Sequence, residues 1–200
     1  MKKLPVDITN KTIKGGPTGK VSLRIVKPEG AKGTLPGLVY VHGGGRVLGN
    51  AQTHDRLVRQ LAHGADAAVV FVTNTPSPDV RHPVAIKQAY HASKWVAQHG
   101  HRVGIDGKRL AIAGDSAGGQ TATAVTMMAK QHGGVKFRKQ ALFHPVTEAK
   151  FDTPSYRRFA ENCWLTKVNM KWCWDQYAPS KAARNDPLAT CTTRRSCTTS

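Results

Sequence analysis

A serine flanked by glycines stands at the junction of a predicted strand and a predicted helix. The sequence "GDSAG" at 114–118 follows the apolar run 109–114 and opens an alanine-rich segment at 117–134. A sharp turn from strand to helix holds such a serine in a strained conformation with its hydroxyl exposed. The pattern predicts Ser116 as a nucleophile, with the backbone N–H of Ala117 donating to an oxyanion. A plain Gly/Ser turn before a helix is the structural alternative.

A histidine and three glycines follow another short strand, predicted at 38–42, in the sequence "HGGG" at 42–45. Glycines let backbone N–H groups point into a pocket without obstruction by side chains, as in the oxyanion loops of lipases and esterases. We predict that His42 supports this loop rather than transferring protons. Two further oxyanion donors beside Ala117 are expected among three N–H groups, those of Gly43, Gly44 and Gly45.

A nucleophilic serine also needs a histidine, which in this kind of arrangement follows the serine along the chain. Only His132 and His144 come after Ser116. His132 precedes a glycine pair that ends the predicted helix, so we expect it on the surface, far from the serine. His144 follows a predicted strand and could approach the site, although a packing role is favoured.

A nucleophilic serine and its histidine also need an acidic residue to complete a catalytic triad, and the sequence offers no clear candidate. Asp115 adjoins the serine, and its side chain should point elsewhere. Asp152 and Asp175 fall in an aromatic, helical region. Asp186 in "NDPLAT" stays open as an alternative for the acid.

Strands and helices alternate along the chain, which is typical of βαβ units and a mostly parallel sheet covered by helices on both faces. The stretch 21–28 is predicted as an edge strand or a hairpin arm. Hydrophobic periodicity places further strands at 38–42, 67–73, 109–114 and 139–146, and helices at 53–64, 84–100 and 117–134. The fold class is therefore α/β, and the serine and the glycines should meet where parallel strands end.

Composition excludes several other classes of protein. Thirty Lys and Arg face twelve Asp and Glu, for a net charge of +18, but the basic residues are scattered along the chain. This favours a solvated basic surface, with weak adhesion to nucleic acid at low salt and no specific nucleic-acid partner. Four cysteines without CxxC spacing argue against a metal site. The run 67–72 is too short to span a membrane, and the start lacks a signal-peptide core, so we predict a cytoplasmic protein.

The segment from about residue 10 to 189 resembles the hormone-sensitive-lipase-like family of α/β-hydrolases, the bacterial esterase/lipase group. The resemblance rests on "HGGGRVLG", "THDRLVRQLA", "HPVAIKQAYHASKWVAQHG", "RLAIAGDSAGGQ" and "FDTPSYRRFAENCWLTKVNMKWCWDQYAP". It implies a carboxylic-ester hydrolase that acts on small-molecule esters through an acyl-enzyme on Ser116, with no metal or organic cofactor. Arg46 departs from the family, which usually has an aromatic or apolar residue after HGGG, and it places a cation beside the acyl pocket.

The resemblance also implies parts that have no counterpart here: a later strand, an acid-bearing loop and a histidine-bearing loop. We therefore expect residues 1–189 to form a partial hydrolase core that lacks the last strand–helix units, with an aromatic cap-like region at about 147–180. Residues 190–200, "TCTTRRSCTTS", are expected to be an aberrant, low-complexity tail left by a frameshift or premature stop. Esterase activity should then be weak or absent. The alternatives are a non-catalytic remnant or binding module and, less favoured, a polyanion-binding protein; a homo-oligomer that covers the open sheet edge is also left open.

Overall fold

The computed structural model describes residues 3–191 of the 200-residue chain, and its centre is a six-stranded sheet. The strands lie in the order β1-β2-β4-β3-β5-β6. Their bounds are β1 (Val6–Lys14), β2 (Lys20–Pro28), β3 (Leu35–Val41), β4 (Ala68–Thr73), β5 (Ile105–Asp115) and β6 (Phe137–Phe143). The pairs β4–β3, β3–β5 and β5–β6 are parallel, which confirms the predicted α/β class.

The first two strands form an antiparallel hairpin at one side of the sheet. β2 pairs with β1 on one side and antiparallel with β4 on the other, so it is a hairpin arm and not an edge strand. β1, which the sequence did not predict, is the edge. Its pattern is weak because most of its side chains are exposed, so few apolar residues mark it.

Helices cover both faces of the sheet, as predicted. Helix α1 (Asp55–Gly64) packs on one face, where its Val58 and Ala62 join a cluster around Tyr40 and Phe71. Helices α2 (Val84–His99) and α3 (Ala117–His132) pack on the opposite face over the larger cluster, which is built on apolar residues of β2–β5. These buried apolar faces supply the main free energy that holds the sheet and the site in place.

The strand at the other edge, β6, is exposed along most of its length. It runs over 137–143 rather than the predicted 139–146. Leu142 and Phe143 are more than a third exposed, and β6 pairs only with β5 in the described structure. An edge of this kind presents unpaired backbone groups and apolar side chains to the solvent.

Short helices fill the described chain after β6, and no strand occurs between residues 144 and 191. They are α4 (Pro154–Arg158), α5 (Lys167–Tyr177), α6 (Lys181–Asn185) and α7 (Pro187–Thr190). Within the predicted aromatic cap-like region, Trp174 and Tyr177 are buried, whereas Trp164 is 96% exposed. Of the predicted tail, Thr190 ends α7 and Cys191 contacts α3, and residues 192–200 lie outside the described part.

Candidate active site

The turn between β5 and α3 has a backbone conformation that side chains rarely adopt. β5 ends at Asp115, α3 begins at Ala117, and Ser116 between them has φ 52° and ψ −120°. Its N–H donates to the Phe143 carbonyl oxygen at 2.9 Å, which ties the turn to the end of β6. Its own carbonyl oxygen accepts from the Val146 N–H at 3.1 Å. Because neighbours on both sides fix a strained serine, the turn has the geometry of a nucleophile elbow.

The glycines of this turn are required by close contacts between elements. A Cβ on Gly118 would overlap the carbonyl oxygen of Val41 at the end of β3, and one on Gly114 would overlap the carbonyl oxygen of Gly118. A larger residue at either position would therefore push α3 away from the sheet. The G-x-S-x-G spacing thus allows α3 to start directly over the strand ends.

The glycine loop after β3 is bound to the elbow. The N–H of Gly43 donates to Asp115 Oδ1 at 2.9 Å, and a Cβ on Gly43 would overlap that carboxylate. Gly44 and Gly45 have positive φ values of 103° and 64°, and the Gly44 carbonyl oxygen accepts from the Leu48 N–H at 2.8 Å. The Gly43 N–H is thus already used, while those of Gly44 and Gly45 have no acceptor within residues 3–191.

Asp115 points away from the serine, as predicted, and binds two side chains that the sequence did not single out. Tyr40 O–H donates to its Oδ1 at 2.6 Å, and His54 Nε2 lies 3.5 Å from its Oδ2. Burial alone would raise the pKa of Asp115, but hydrogen bonds from His54, Tyr40 and the Gly43 N–H lower it to about 2. The carboxylate is therefore charged at neutral pH and joins β3, the glycine loop and α1 to the elbow.

The two histidines beside this carboxylate are affected in opposite directions. The hydrogen bond to Asp115 raises the pKa of His54, whereas burial lowers the pKa of His42. The His42 ring stacks on Phe71 with 5.2 Å between centroids and 4° between planes. Its Nδ1 lies 2.7 Å from the Gly43 carbonyl oxygen, to which it donates. These contacts of His42 are thus with the glycine loop and with Phe71 of β4.

The structure brings neither histidine that follows Ser116 into hydrogen-bonding contact with it. His132 is exposed at the last residue of α3, and His144 is exposed just after β6 with φ 38°. Within residues 3–191 the Ser116 hydroxyl has no hydrogen bond to any side chain. The described part of the chain therefore contains the elbow without an assembled triad.

Asp186, the alternative for the acid, contacts neither Ser116 nor a histidine that follows it. Its Oδ1 accepts from the Leu188 N–H at 2.8 Å and so caps α7, and its Oδ2 lies 2.8 Å from His82 Nε2. His82 Nδ1 in turn lies 2.8 Å from the Tyr177 hydroxyl. These bonds tie α5 and α7 to the loop before α2. The contact between His82 and Asp186 joins residues 104 positions apart, and no local sequence pattern predicts it.

The two other candidate acids, Asp152 and Asp175, make no contact with the serine. Asp175 pairs with Lys171 at 3.0 Å and with Arg184, and Asp152 is exposed. Among residues 3–191 there is no group of three or more His, Cys, Asp or Glu side chains that could hold a metal ion. No helix in that part of the chain is long and apolar enough to cross a bilayer.

Arg46, directly after the glycines, turns inward. It has φ 66°, and its Nη2 donates to Gln120 Oε1 on α3. Its guanidinium lies 4.0 Å from the centroid of the Tyr177 ring and 5.0 Å from that of Trp174. The cation therefore joins the glycine loop, α3 and the aromatic residues of α5.

The sheet order, the strained serine at the end of β5 and the glycine loop at the end of β3 together define an α/β-hydrolase. The family model described as alpha/beta hydrolase fold matches residues 38–199. The chain belongs to this family, which confirms the resemblance seen in the motifs.

Several of its relatives carry the name of an ester-hydrolysing enzyme. The chain is 42% identical over 158 residues to Esterase LipI of Mycobacterium tuberculosis, covering 78% of this chain and 48% of that protein. It is 36% identical over 168 residues to the ethyl acetate hydrolase of Pseudomonas putida, covering 82% and 53%. The crystal structure of a thermostable esterase from Pseudomonas putida ECU1011 superposes with a TM-score of 0.90 at 45% identity, covering 92% and 58%. The chain thus spans about half the length of the relatives that it matches.

Proposed function

We propose that this chain is the nucleophile-bearing and oxyanion-binding part of a carboxylic-ester hydrolase that acts on small-molecule esters. The observation that carries the proposal is the strained Ser116 held beside the glycine loop through the Asp115–Gly43 hydrogen bond. In an acyl transfer, Ser116 Oγ bonds to the ester carbonyl carbon, and the carbonyl oxygen takes up the negative charge.

The negative charge needs donors that no other group occupies. The N–H groups of Gly44, Gly45 and Ala117 meet this condition, whereas that of Gly43 is bound to Asp115. We assign the oxyanion hole to these three groups. Gly43 and His42 keep the loop in place, since one bonds the elbow and the other stacks on Phe71. N–H groups fixed before the reaction stabilise the developing charge without reorganisation.

The hydroxyl proton of Ser116 must leave as the new bond forms, and the alcohol leaving group must receive a proton. No histidine of the described chain bonds the hydroxyl, so water takes this proton and gives one to the leaving alkoxide, and the reaction is slow. Loss of the histidine in a serine hydrolase costs on the order of 10⁶ in kcat. The oxyanion hole and binding retain roughly 10³–10⁴ over the reaction in water. We expect slow acylation of Ser116 and weak turnover. A cytoplasmic location remains the prediction from the sequence.

The test compares the chain with its Ser116→Ala variant. We expect a fluorophosphonate probe to label the unmodified chain slowly and the variant not at all. Hydrolysis of p-nitrophenyl acetate and butyrate should fall to the background rate in the variant. Ser155→Ala, which removes an exposed serine of α4, is the matched control and should label like the unmodified chain. Equal labelling of the unmodified chain and the Ser116→Ala variant would contradict the proposal.

The second candidate is a non-catalytic binding module of the same fold. It is favoured by one observation, the absence of a base bonded to the Ser116 hydroxyl within residues 3–191. This alternative predicts that short esters bind to the chain, that their affinity is unchanged by Ser116→Ala, and that no probe labels the serine.

A further inference from the structure

The Arg46 guanidinium has a charge that the described chain does not neutralise. None of the ion pairs within residues 3–191 involves it. The ionisable groups that face it are Tyr177, Cys173 and Cys191. Burial raises the pKa of all three, that of Tyr177 to about 12, so each is neutral at pH 7. The partners that remain are neutral: Gln120 Oε1, the Tyr177 hydroxyl and the ring faces of Tyr177 and Trp174.

Two buried N–H groups at this cation lack an acceptor. Arg46 Nε and Trp174 Nε1 are both inaccessible to solvent and have no hydrogen-bond partner in the described structure. A buried donor without an acceptor costs about 1–3 kcal/mol, and more when it is charged. An acceptor with negative charge beside Arg46 Nε would satisfy that donor and the cation.

A cavity of about 90 Å³ adjoins Arg46. Its lining includes His42, Asn74 and Thr121, and Thr121 belongs to α3, the helix that begins directly after Ser116. Asn74 Oδ1 is also buried without a partner. Its Nδ2 group donates to the Ala85 carbonyl oxygen at 3.5 Å. The space suits a carboxylate with one or two carbon atoms attached.

We infer that Arg46 is a specificity-determining residue that binds a free carboxylate on the substrate, so that the preferred ester is a half-ester of a short dicarboxylic acid. A guanidinium binds a carboxylate through directed, charge-assisted hydrogen bonds, which a neutral ester cannot replace. The assignment of the ester group rests on the proposed function, whereas the carboxylate site rests on Arg46 and its cavity.

Binding is measured in the Ser116→Ala background, where no turnover interferes. The probes are monomethyl succinate, which carries one carboxylate, and dimethyl succinate, which carries none. Isothermal titration calorimetry gives the affinities and is the measurement that decides, because the chain has four tryptophans and its emission does not report on Trp174 alone. We expect the half-ester to bind more tightly by on the order of tenfold, about the effect of one charge-assisted hydrogen bond.

Three substitutions in that background separate the role of Arg46 from the general charge of the chain. Arg46→Gln should remove the preference for the half-ester, and Arg46→Lys should keep part of it. Arg158→Gln is the matched control, because Arg158 also lies over an aromatic ring, that of Phe159 at 5.4 Å, but is exposed on α4. This control should leave the preference unchanged.

Several outcomes overturn the inference. Equal affinity for the two esters before any substitution at Arg46 does so even if Arg46→Gln fails to fold. A preference for the half-ester that persists in a folded Arg46→Gln variant also overturns the inference. Arg46 would then have only a structural role, as a contact between α3 and α5. Labelling of Ser116 together with equal affinities would keep the proposed function and reject the carboxylate site. A preference for the half-ester without labelling of Ser116 would keep the carboxylate site and reject the proposed function.

Discussion

At the scale of single residues, Asp115 is the group on which the site depends most. It lies next to Ser116, the proposed nucleophile, yet its carboxylate binds three other groups: the Tyr40 hydroxyl, the Gly43 N–H and the His54 ring. Hydrogen bonds to a charged acceptor contribute about 1.5–3 kcal/mol each in the more favourable cases. Asp115 therefore couples the glycine loop, the proposed oxyanion loop, to the elbow, which makes it a positioning residue of the proposed site.

Replacement of this carboxylate by an amide tests the coupling. Asp115→Asn keeps the shape but removes the charge and the ion pair with His54, so we expect the free energy of unfolding to fall by about 2 kcal/mol. Urea denaturation monitored by tryptophan fluorescence measures it. Asp152→Asn alters an exposed carboxylate and should change stability by less than about 0.5 kcal/mol. Similar losses in the two variants would count against a special role for Asp115.

The pair of His54 and Asp115 also predicts a pH dependence. The pKa of His54 is raised by Asp115, so its contribution to stability is complete below its unfolded pKa of about 6.5 and is lost as the pH rises through the folded value. Asp115, with its pKa lowered to about 2, is charged throughout this range. His54→Gln should therefore reduce the free energy of unfolding more at about pH 5.5 than at about pH 9.

Denaturation at the two pH values checks this difference. His144→Gln, which replaces an exposed histidine without a described partner, is the control and should show the same small effect at both. An effect of His54→Gln that is equal at both pH values, or larger at the alkaline one, would show that the ion pair contributes nothing.

At the scale of elements, the site depends on how closely α3 approaches β3. Gly118 lies against the Val41 carbonyl oxygen, and nothing larger fits there. Gly118→Ala should destabilise the chain by about 3 kcal/mol, because the helix must move away from the strand ends. Gly64→Ala at the end of α1 meets no atom within 4 Å and should be neutral or slightly stabilising.

The comparison of these two glycines uses the melting temperature of each variant and its fluorophosphonate labelling. We expect Gly118→Ala to lower both and Gly64→Ala to lower neither. A Gly118→Ala variant with unchanged melting temperature and labelling would mean that α3 tolerates displacement, and that the elbow does not require this contact.

At the scale of the whole molecule, the net charge of +18 determines how strongly the chain binds polyanions such as DNA. Scattered Lys and Arg residues attract phosphates without reading sequence. We expect retention on immobilised DNA at about 50 mM salt and elution by about 200 mM, with no preference among sequences. Chromatography on two unrelated duplexes measures both properties. Retention that persists well above that salt concentration, or that differs between the duplexes, would instead favour the polyanion-binding alternative.

The sequence alone determined the fold class and the family, and it predicted the residues at the centre of the proposed site. It could do so because these features are local: a strand-to-helix turn needs small residues beside Ser116, and alternating apolar periods mark the βαβ units. The stretch Val6–Lys14 was missed for a related reason, since an edge strand with exposed side chains has little apolar pattern.

Only the tertiary structure decided which partners the residues of the site have. The contacts of Asp115 with Tyr40 and Gly43 span 75 and 72 residues, and that of His82 with Asp186 spans 104. The same holds for Arg46, which the sequence placed beside the acyl pocket and which packing brings between Gln120 and Tyr177. Such contacts depend on the order of strands in the sheet and on the helices packed against it. The spacing of residues along the chain gives no information about either.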